Sequence, residues 1–277
     1  EHMKEPLVSV CIPAYNNASY IKETIESVLN QTYQNIELVI ADDQSKDNTV
    51  EVIKSIRDDR IRLYENEKNL GMSGNWNHCL ELCNGEFIKL LCADDLLAKD
   101  AIEKEAKALM EHPEVVMAES DTRFIDMNGK FKGTYRRYHS KGAVDGKKIA
   151  RAGFFSQNYF GAPLANMFRK SVLEQVHGFD TNYYYILDYD LWIRIACLGK
   201  VYIIHEPLNF FRVRNDSNTG EVMAGGKKEA YVSEHRYLVK KYAKELHMSG
   251  FEIELSVLIR RLRNFAGFSF LKIFVRD

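Results

Sequence analysis

The chain has 277 residues, of which 45% are apolar and 28% charged, with a formal net charge of −1. That balance belongs to a globular protein with room for one large α/β domain or two small ones. It offers no overall positive field for nucleic acid, and no apolar run is long enough to span a bilayer.

Residues 7–12 form a β-branched apolar run and predict a first strand, ended by Pro13-Ala14-Tyr15-Asn16-Asn17 because Pro13 cannot donate to a ladder. A helix over 19–30 follows, with Ile21, Ile25, Val28 and Leu29 on one face. A second strand over 36–41 ends in Asp42-Asp43-Gln44-Ser45, and Asp47-Asn48-Thr49 opens the next helix. Residues 61–65 read as a third strand. Residues 69–75 read as a polar loop with a turn at Gly71-Met72-Ser73-Gly74, and 76–83 as a helix. The run 87–92 predicts a buried strand that ends at two adjacent carboxylates, Asp94 and Asp95. This alternation is that of βαβ units, hence a parallel sheet covered on both faces. No Gly-x-Gly-x-x-Gly follows the first strand, and no Walker-type loop is present.

Three strand ends in succession are polar: Tyr15-Asn16, Asp42-Asp43 and Asp94-Asp95. Open α/β sheets bind ligands beyond such ends. For Asp94-Asp95 two readings stay open on local grounds. The pair meets a divalent cation that bridges to a phosphate, or Asp95 caps a helix over 96–102.

In the second half, 114–120 predicts a strand and 122–131 a hairpin around Asn128-Gly129. Residues 134–162 lack a clear period. Tyr135, Arg136, Arg137, Tyr138 and His139 within them read as a mobile loop or as a solvated connection. A strand over 165–168 and a helix over 170–176 are followed by Gly178 as a C-cap. A helix over 191–197 places Asp190 at its N-cap, which leaves Asp188 without that duty. A strand over 201–211 carries His205. Arg212 and Arg214 lead into a polar loop, and 227–246 reads as a charged helix. Residues 255–277, basic and rich in Leu and Phe, read as an amphipathic helix pair for a membrane surface, a dimer contact or packing on the main domain. Five cysteines, Cys11, Cys79, Cys83, Cys92 and Cys197, are odd in number and set in apolar surroundings. They read as buried reduced thiols, which with no signal segment points to the cytoplasm, including its inner membrane face.

The blocks VSVCIPAYN, VIADDQSKDNT, NLGMSGNWN with NGEFIKLLCADD, HGFD and LDYDLWIR occur in an order that resembles glycosyltransferase family 2, the inverting transferases that use nucleotide-sugar donors. The resemblance implies a GT-A type fold: a Rossmann-like, mostly parallel central sheet with helices on both faces, here with a helical C-terminal extension. The implied catalytic domain is 4–220, with a nucleotide-binding half (4–96) and an acceptor-binding half (97–220), and 221–277 is the extension.

By resemblance, Pro13, Ala14, Tyr15 and Asn16 cradle the nucleotide, and Asp43 reads a uracil or thymine edge. Asn75, in the third block, is a further nucleotide-sugar contact. Asp94 faces the ribose, Asp95 holds Mn²⁺ or Mg²⁺ at the diphosphate, Asp188 is the catalytic base, and Arg214 closes over the diphosphate. Many members carry an acid where this chain has Cys92, which is expected to point into the sheet core. His205 is a weaker candidate ligand, and Trp192 an acceptor floor or a core residue. The implied partners are a UDP- or dTDP-sugar and a glycan or lipid-linked acceptor in cell-surface polysaccharide synthesis, with no nucleic acid. Rival readings are a sugar-nucleotide-forming nucleotidyltransferase and a non-catalytic glycan-binding module.

Overall fold

The computed structural model describes residues 5–214 and 228–274, without the side chains of Lys228 and 264–274. The first half alternates as the apolar periods dictate. It runs β1 (Val8–Ala14), α1 (Ile21–Leu29), β2 (Ile36–Asp42), α2 (Thr49–Ser55), β3 (Ile61–Glu65), α3 (Gly71–Glu81) and β4 (Phe87–Leu90). These four strands are mutually parallel, in the order β3-β2-β1-β4.

Side chains alternate between the two faces, as the pleat requires. Val8, Val10 and Ile12 join the core under α1 and α2, while Cys11, Val39 and Ile88 join a second core with Cys79 of α3 and Cys83 just beyond it. The cysteines are all free thiols, and those three are buried.

Pro13 does not end β1: it pairs with Ala41, and the strand runs on to Ala14. Cys11 accepts from Leu91 on the β4 side, while Ala14 accepts from Asp43 on the β2 side. Alternation therefore turns Pro13 toward β4. The β1–β4 ladder stops at Cys11 and Leu90, so the missing N–H deprives no partner.

Beyond β4 lie a two-residue strand β5 (Leu96–Leu97), α4 (Ala101–Glu111), and a hairpin of β6 (Val115–Ile125) with β7 (Phe131–Tyr135). Then come β8 (Gly142–Asp145), α5 (Gly146–Phe154), β9 (Asn166–Arg169), α6 (Lys170–Val176), α7 (Leu187–Ala196) and β10 (Lys200–Arg212). The sheet continues from β4 through β9, β6 and β10 to β5. It is mixed here: β9 runs antiparallel to both neighbours, and β6 and β10 are parallel. Helices α8 (Lys228–Tyr242) and α9 (Gly250–Phe274) close the chain.

Four boundaries differ from the sequence reading. Helix α4 starts at Ala101 with Asp100 at its N-cap, and β5 pairs with β10, so Asp95 caps no helix. The expected turn at Gly71–Gly74 is the first turn of α3, because Leu70 N–H donates to Asp43 and Gly71 N–H to Asn69. Helix α7 starts at Leu187, which puts Asp188 in its first turn and makes Asp190 an interior residue. Residues 250–274 form one helix where a pair was expected over 255–277. Ser256, Val257 and Arg260 on it are buried, with Ser256 donating to Phe154 O (2.9 Å) and Arg260 to Gly153 O (3.2 Å) at the end of α5.

Candidate functional site

The carboxyl ends of β1, β2 and β4 lie side by side, and each opens into a polar loop. After β1, Pro13 and Ala14 are buried, whereas Tyr15 and Asn16 are exposed. Asn16 has φ +54, a left-handed conformation that Asn tolerates. It is locked there by two bonds to the next loop: its N–H donates to Ser45 Oγ (2.9 Å) and its Oδ1 accepts from Lys46 N–H (2.7 Å). After β2, Asp42 is spent on Ser45, whose N–H and hydroxyl both donate to it. Asp43 is buried with Oδ1 accepting from Asn66 Nδ2 (2.9 Å) and Leu70 N–H (2.7 Å). Asn75 is buried behind it. It donates to Ala41 O (3.0 Å) and accepts from Asn66 (2.9 Å), which pins α3 to the end of β2.

The turn after β4 carries the two acids at different depths. Asp94 is half-buried and pairs with Arg214 Nη1 at 3.0 Å. Burial pushes its carboxyl up, and Arg214 opposes that shift. Asp95 is 1% exposed. Its Oδ1 accepts from Arg212 N–H (2.9 Å), while Oδ2 is buried with no hydrogen-bond partner. Burial first, then the neighbouring Asp94, pushes its carboxyl well above the ordinary range.

A buried anionic oxygen with no donor is what a cation site needs. Carboxylate oxygens suit Mg²⁺ or Mn²⁺, which take one or two protein carboxylates and complete their shell with phosphate and water. Among the described residues no group of three or more His, Cys, Asp or Glu side chains is arranged to hold a metal alone. The residues therefore fit a metal shared with a phosphorylated ligand.

Arg212 and Arg214 divide the work. Arg212 is buried and committed to the fold: Nε donates to Asp94 O, Nη1 to Asp126 O and Met127 O, and Nη2 to Glu23. Arg214 stays at the acids. Both guanidinium groups lie over the Tyr20 ring, at 4.9 and 5.0 Å. The sequence reading missed Tyr20. An aromatic just before an amphipathic helix carries no local sign of this role.

Cys92 is half-buried and packs against the core that holds Cys79, Cys83 and Leu90, as expected of it. Its thiol is pushed up, by burial first and then by the charges of Asp95, Asp94 and Asp188. Asp188 itself, in the first turn of α7, has Oδ1 accepting from Tyr189 N–H (2.7 Å). Burial pushes its carboxyl up to about 7. The acids after β4 and the acid of α7 thus all act on the Cys92 thiol.

The HGFD block sits between α3, through Asn77, and α7, whose Arg194 donates to Gly178 O (2.7 Å). Asn77 accepts from Phe179 N–H (2.8 Å) and donates to Phe179 O (3.0 Å). Gly178 at φ +76 presses so close that an added Cβ would stand 2.6 Å from Asn77 Oδ1. Asp190 is buried and held by Arg194 (2.9 Å), Lys241 (2.8 Å) and Tyr242 (2.7 Å).

Other candidates lie elsewhere. Trp192 is fully buried, packed on Phe168 and Phe179, and is a core residue. His205 faces Ser140 O (3.0 Å) and Asp121 (3.5 Å). It precedes Arg212 by seven residues on β10, roughly 20 Å at strand rise, and so cannot join Asp95 at a metal. The 135–139 stretch is neither mobile nor merely solvated: Arg137 and Tyr138 are buried, and Arg137 donates to Ser120 O (2.8 Å) and Thr122 Oγ1 (2.6 Å).

Comparison with known proteins places this geometry. The profile of Glycosyl transferase family 2 matches residues 9–177. A GalNAc(5)-diNAcBac-PP-undecaprenol beta-1,3-glucosyltransferase of Campylobacter jejuni is 28% identical over 250 residues, 88% of this chain and 76% of that one. Among solved structures, S. aureus TarS 1-349 in complex with UDP-GlcNAc superposes with a TM-score of 0.69 at 18% identity, over 93% of this chain and 72% of that one. The mannosyltransferase PcManGT of Pyrobaculum calidifontis, in complex with GDP-Man and Mn²⁺, gives 0.61 at 18% identity, over 99% and 77%.

Proposed function

The chain belongs to glycosyl transferase family 2 and is a glycosyltransferase, and on that premise we propose that it moves a sugar, with inversion, from a UDP- or dTDP-sugar to a glycan or lipid-linked saccharide. The observation that carries the reading is the buried, unpartnered Oδ2 of Asp95, next to the Asp94–Arg214 pair at the end of a strand that adjoins β1 and its Tyr15 loop. We assign the donor to 4–96 and the acceptor to 97–220, with α8 and α9 as an extension. The lipid-linked acceptor is supported by what the Campylobacter relative's name states of that protein.

In this reading Tyr15, exposed at the rim, covers one face of the base, and Asp43 accepts from a ring N–H. Pro13, Ala14 and Asn16 shape the cradle, and Asn75 holds α3 behind it. Asp94 faces the ribose, and Arg214 exchanges Asp94 for the diphosphate. Asp95 would hold Mn²⁺ or Mg²⁺, which when bound neutralises charge developing on the leaving diphosphate. Asp188 takes the proton from the acceptor hydroxyl as its oxygen attacks the anomeric carbon. The bond from that carbon to the diphosphate oxygen breaks, and its electron pair leaves with the nucleotide.

A thermal-shift panel of UDP, dTDP, GDP and ADP with and without Mn²⁺ tests the donor class. At a hundred times Kd a ligand adds about 2.7 kcal/mol, or roughly 5–10 °C for a chain of this size. Stabilisation by UDP or dTDP with Mn²⁺, lost in Asp95→Ala, is the expected result. Stabilisation by GDP or ADP instead overturns the base assignment. Equal UDP stabilisation in Asp95→Ala overturns the metal assignment.

A further inference from the structure

Helix α7 begins without a local cap. Its N-cap position is Ile186, which has no side-chain acceptor, and the residues before it are Tyr183, Tyr184 and Tyr185. Amides at a helix start need acceptors, from side chains or from water. They find one carboxylate. Glu234 of α8 accepts from Tyr184 N–H (2.8 Å), Tyr185 N–H (2.9 Å) and Ile186 N–H (3.1 Å). These three consecutive amides lead directly into Leu187 and Asp188.

We propose that Glu234 is a positioning residue for catalysis, and that its grip on the 184–186 backbone sets where the Asp188 carboxylate is presented. The inference rests on the reading of Asp188 as the base. Three charge-assisted bonds to one carboxylate fix the position and direction of the entry to α7. Asp188 stands two residues beyond the last of those amides, so any shift of the entry is passed to its side chain.

The platform that carries Glu234 is itself fixed. Leu238 and Val239 of α8 are buried in the core that includes Trp192 and Ile193. His235 is buried and bonded to Ser256 of α9 (3.2 Å). Lys241 and Tyr242 hold Asp190, which shares the first turn of α7 with Asp188. The C-terminal extension thus grips α7 twice. The Asp190 contact holds a side chain that Arg194 also holds, whereas the Glu234 contact holds the backbone that delivers Asp188. The family profile ends at residue 177, so this contact comes from sequence outside it.

The test uses the full chain and release of UDP from UDP-glucose, UDP-galactose or UDP-N-acetylglucosamine, taking the donor that the wild type turns over. Four variants are compared: Glu234→Ala, Glu234→Gln, Tyr242→Phe and Asp188→Asn. A displacement near 1 Å at a reacting group costs about 100-fold. Glu234→Ala is therefore expected to lose roughly that factor in kcat, with the donor KM and its dependence on Mn²⁺ unchanged. Glu234→Gln keeps one acceptor oxygen and is expected to recover part of the rate. Tyr242→Phe loosens the other contact and is expected to lower Tm while kcat holds.

The proposal is overturned if Glu234→Ala, folded, keeps wild-type kcat, or if Glu234→Ala and Tyr242→Phe lose kcat and Tm in parallel. If Glu234→Ala does not fold, Glu234→Gln decides, and an unchanged kcat there is equally fatal. Asp188→Asn separates the two levels of the argument. If it is inactive while Glu234→Ala is unaffected, only the positioning role fails. If it is fully active, the base assignment fails and the positioning role falls with it.

Discussion

Asp188 shows how much one side chain depends on its surroundings. A free aspartate is ionised throughout the neutral range, but burial holds this one near 7. Its charge is felt by Cys92, whose thiol is pushed up, by burial first, and so stays protonated at neutral pH. A general base works only when ionised. Activity should therefore rise with pH through about 7. The acid limb of kcat/KM reports that ionisation in the free enzyme. We expect the limb near 7 in the wild type, and in Asp188→Asn a loss of roughly 10²–10⁴ in kcat with the limb gone. A wild-type limb near 4 would show that Asp188 is not enclosed as it is here.

Asp43, Asp94 and Asp95 stand out in the sequence because polar residues at strand ends have no place in a core. Asp188 lies at a helix start, and its reading rested on the resemblance and on Asp190 taking the cap, a position the structure gives to Ile186. Cys92 follows its apolar neighbours into the core although β4 stops at Leu90.

Among the elements, β4 and α4 are joined by a pair that no surface argument predicts. Lys89, in the middle of β4, and Glu105, on α4, are both fully buried, with Nζ donating to Oε2 at 2.7 Å and Ser120 donating to the other oxygen at 2.9 Å. Burial pushes the lysine down and the glutamate up, each toward its neutral form, and each partner opposes the shift in the other. Such a pair is weak evidence for net stability, but breaking it strands a charge. Lys89→Met should cost about 3–5 kcal/mol in urea unfolding, and Lys89→Met with Glu105→Leu should recover much of that loss. A single variant as stable as the wild type would mean that Glu105 is neutral in the native state.

Strands β1, β2 and β4 were legible as unbroken apolar runs buried on both faces, and α1 by its helical period and single buried face. The starts of α3 and α7 were misread for a shared reason. Caps are sought within a few residues of a helix end. Here Asp43 holds the amide just before α3 and Glu234 the amides before α7, both from distant parts of the chain. Arg212 shows the same limit, because nothing local distinguishes its structural role from that of Arg214 two residues on.

For the whole molecule, the main question is which environment the C-terminal helices meet. One face of α9 is seated on α5 through Ser256 and Arg260. The other presents Phe251 (76% exposed), Leu258 (52%) and Leu262 (60%). Arg261 and Arg263 are solvent-accessible too, though Arg261 reaches Glu229 of α8 (3.5 Å) and Arg263 donates to Ser156 Oγ just after α5 (3.0 Å). Among the described residues no helix is long and apolar enough to cross a membrane. Exposed Phe and Leu on a helix that also carries accessible arginines suit the headgroup region of an anionic bilayer, where each basic residue near the surface contributes about 1 kcal/mol. An enzyme that acts on a lipid-linked acceptor, as proposed, needs its site held close to that surface.

We therefore expect the full chain to co-sediment with phosphatidylglycerol vesicles, less so as salt rises, since the arginine attraction is screened. Leu258→Glu with Leu262→Glu should weaken the partition at least tenfold, because burying even one such leucine is worth about 1.5–3 kcal/mol. Neither residue touches the acids, so turnover with a soluble acceptor should persist. No vesicle binding, together with a dimer in light scattering that the same double variant dissociates, would assign this face to a second copy of the chain.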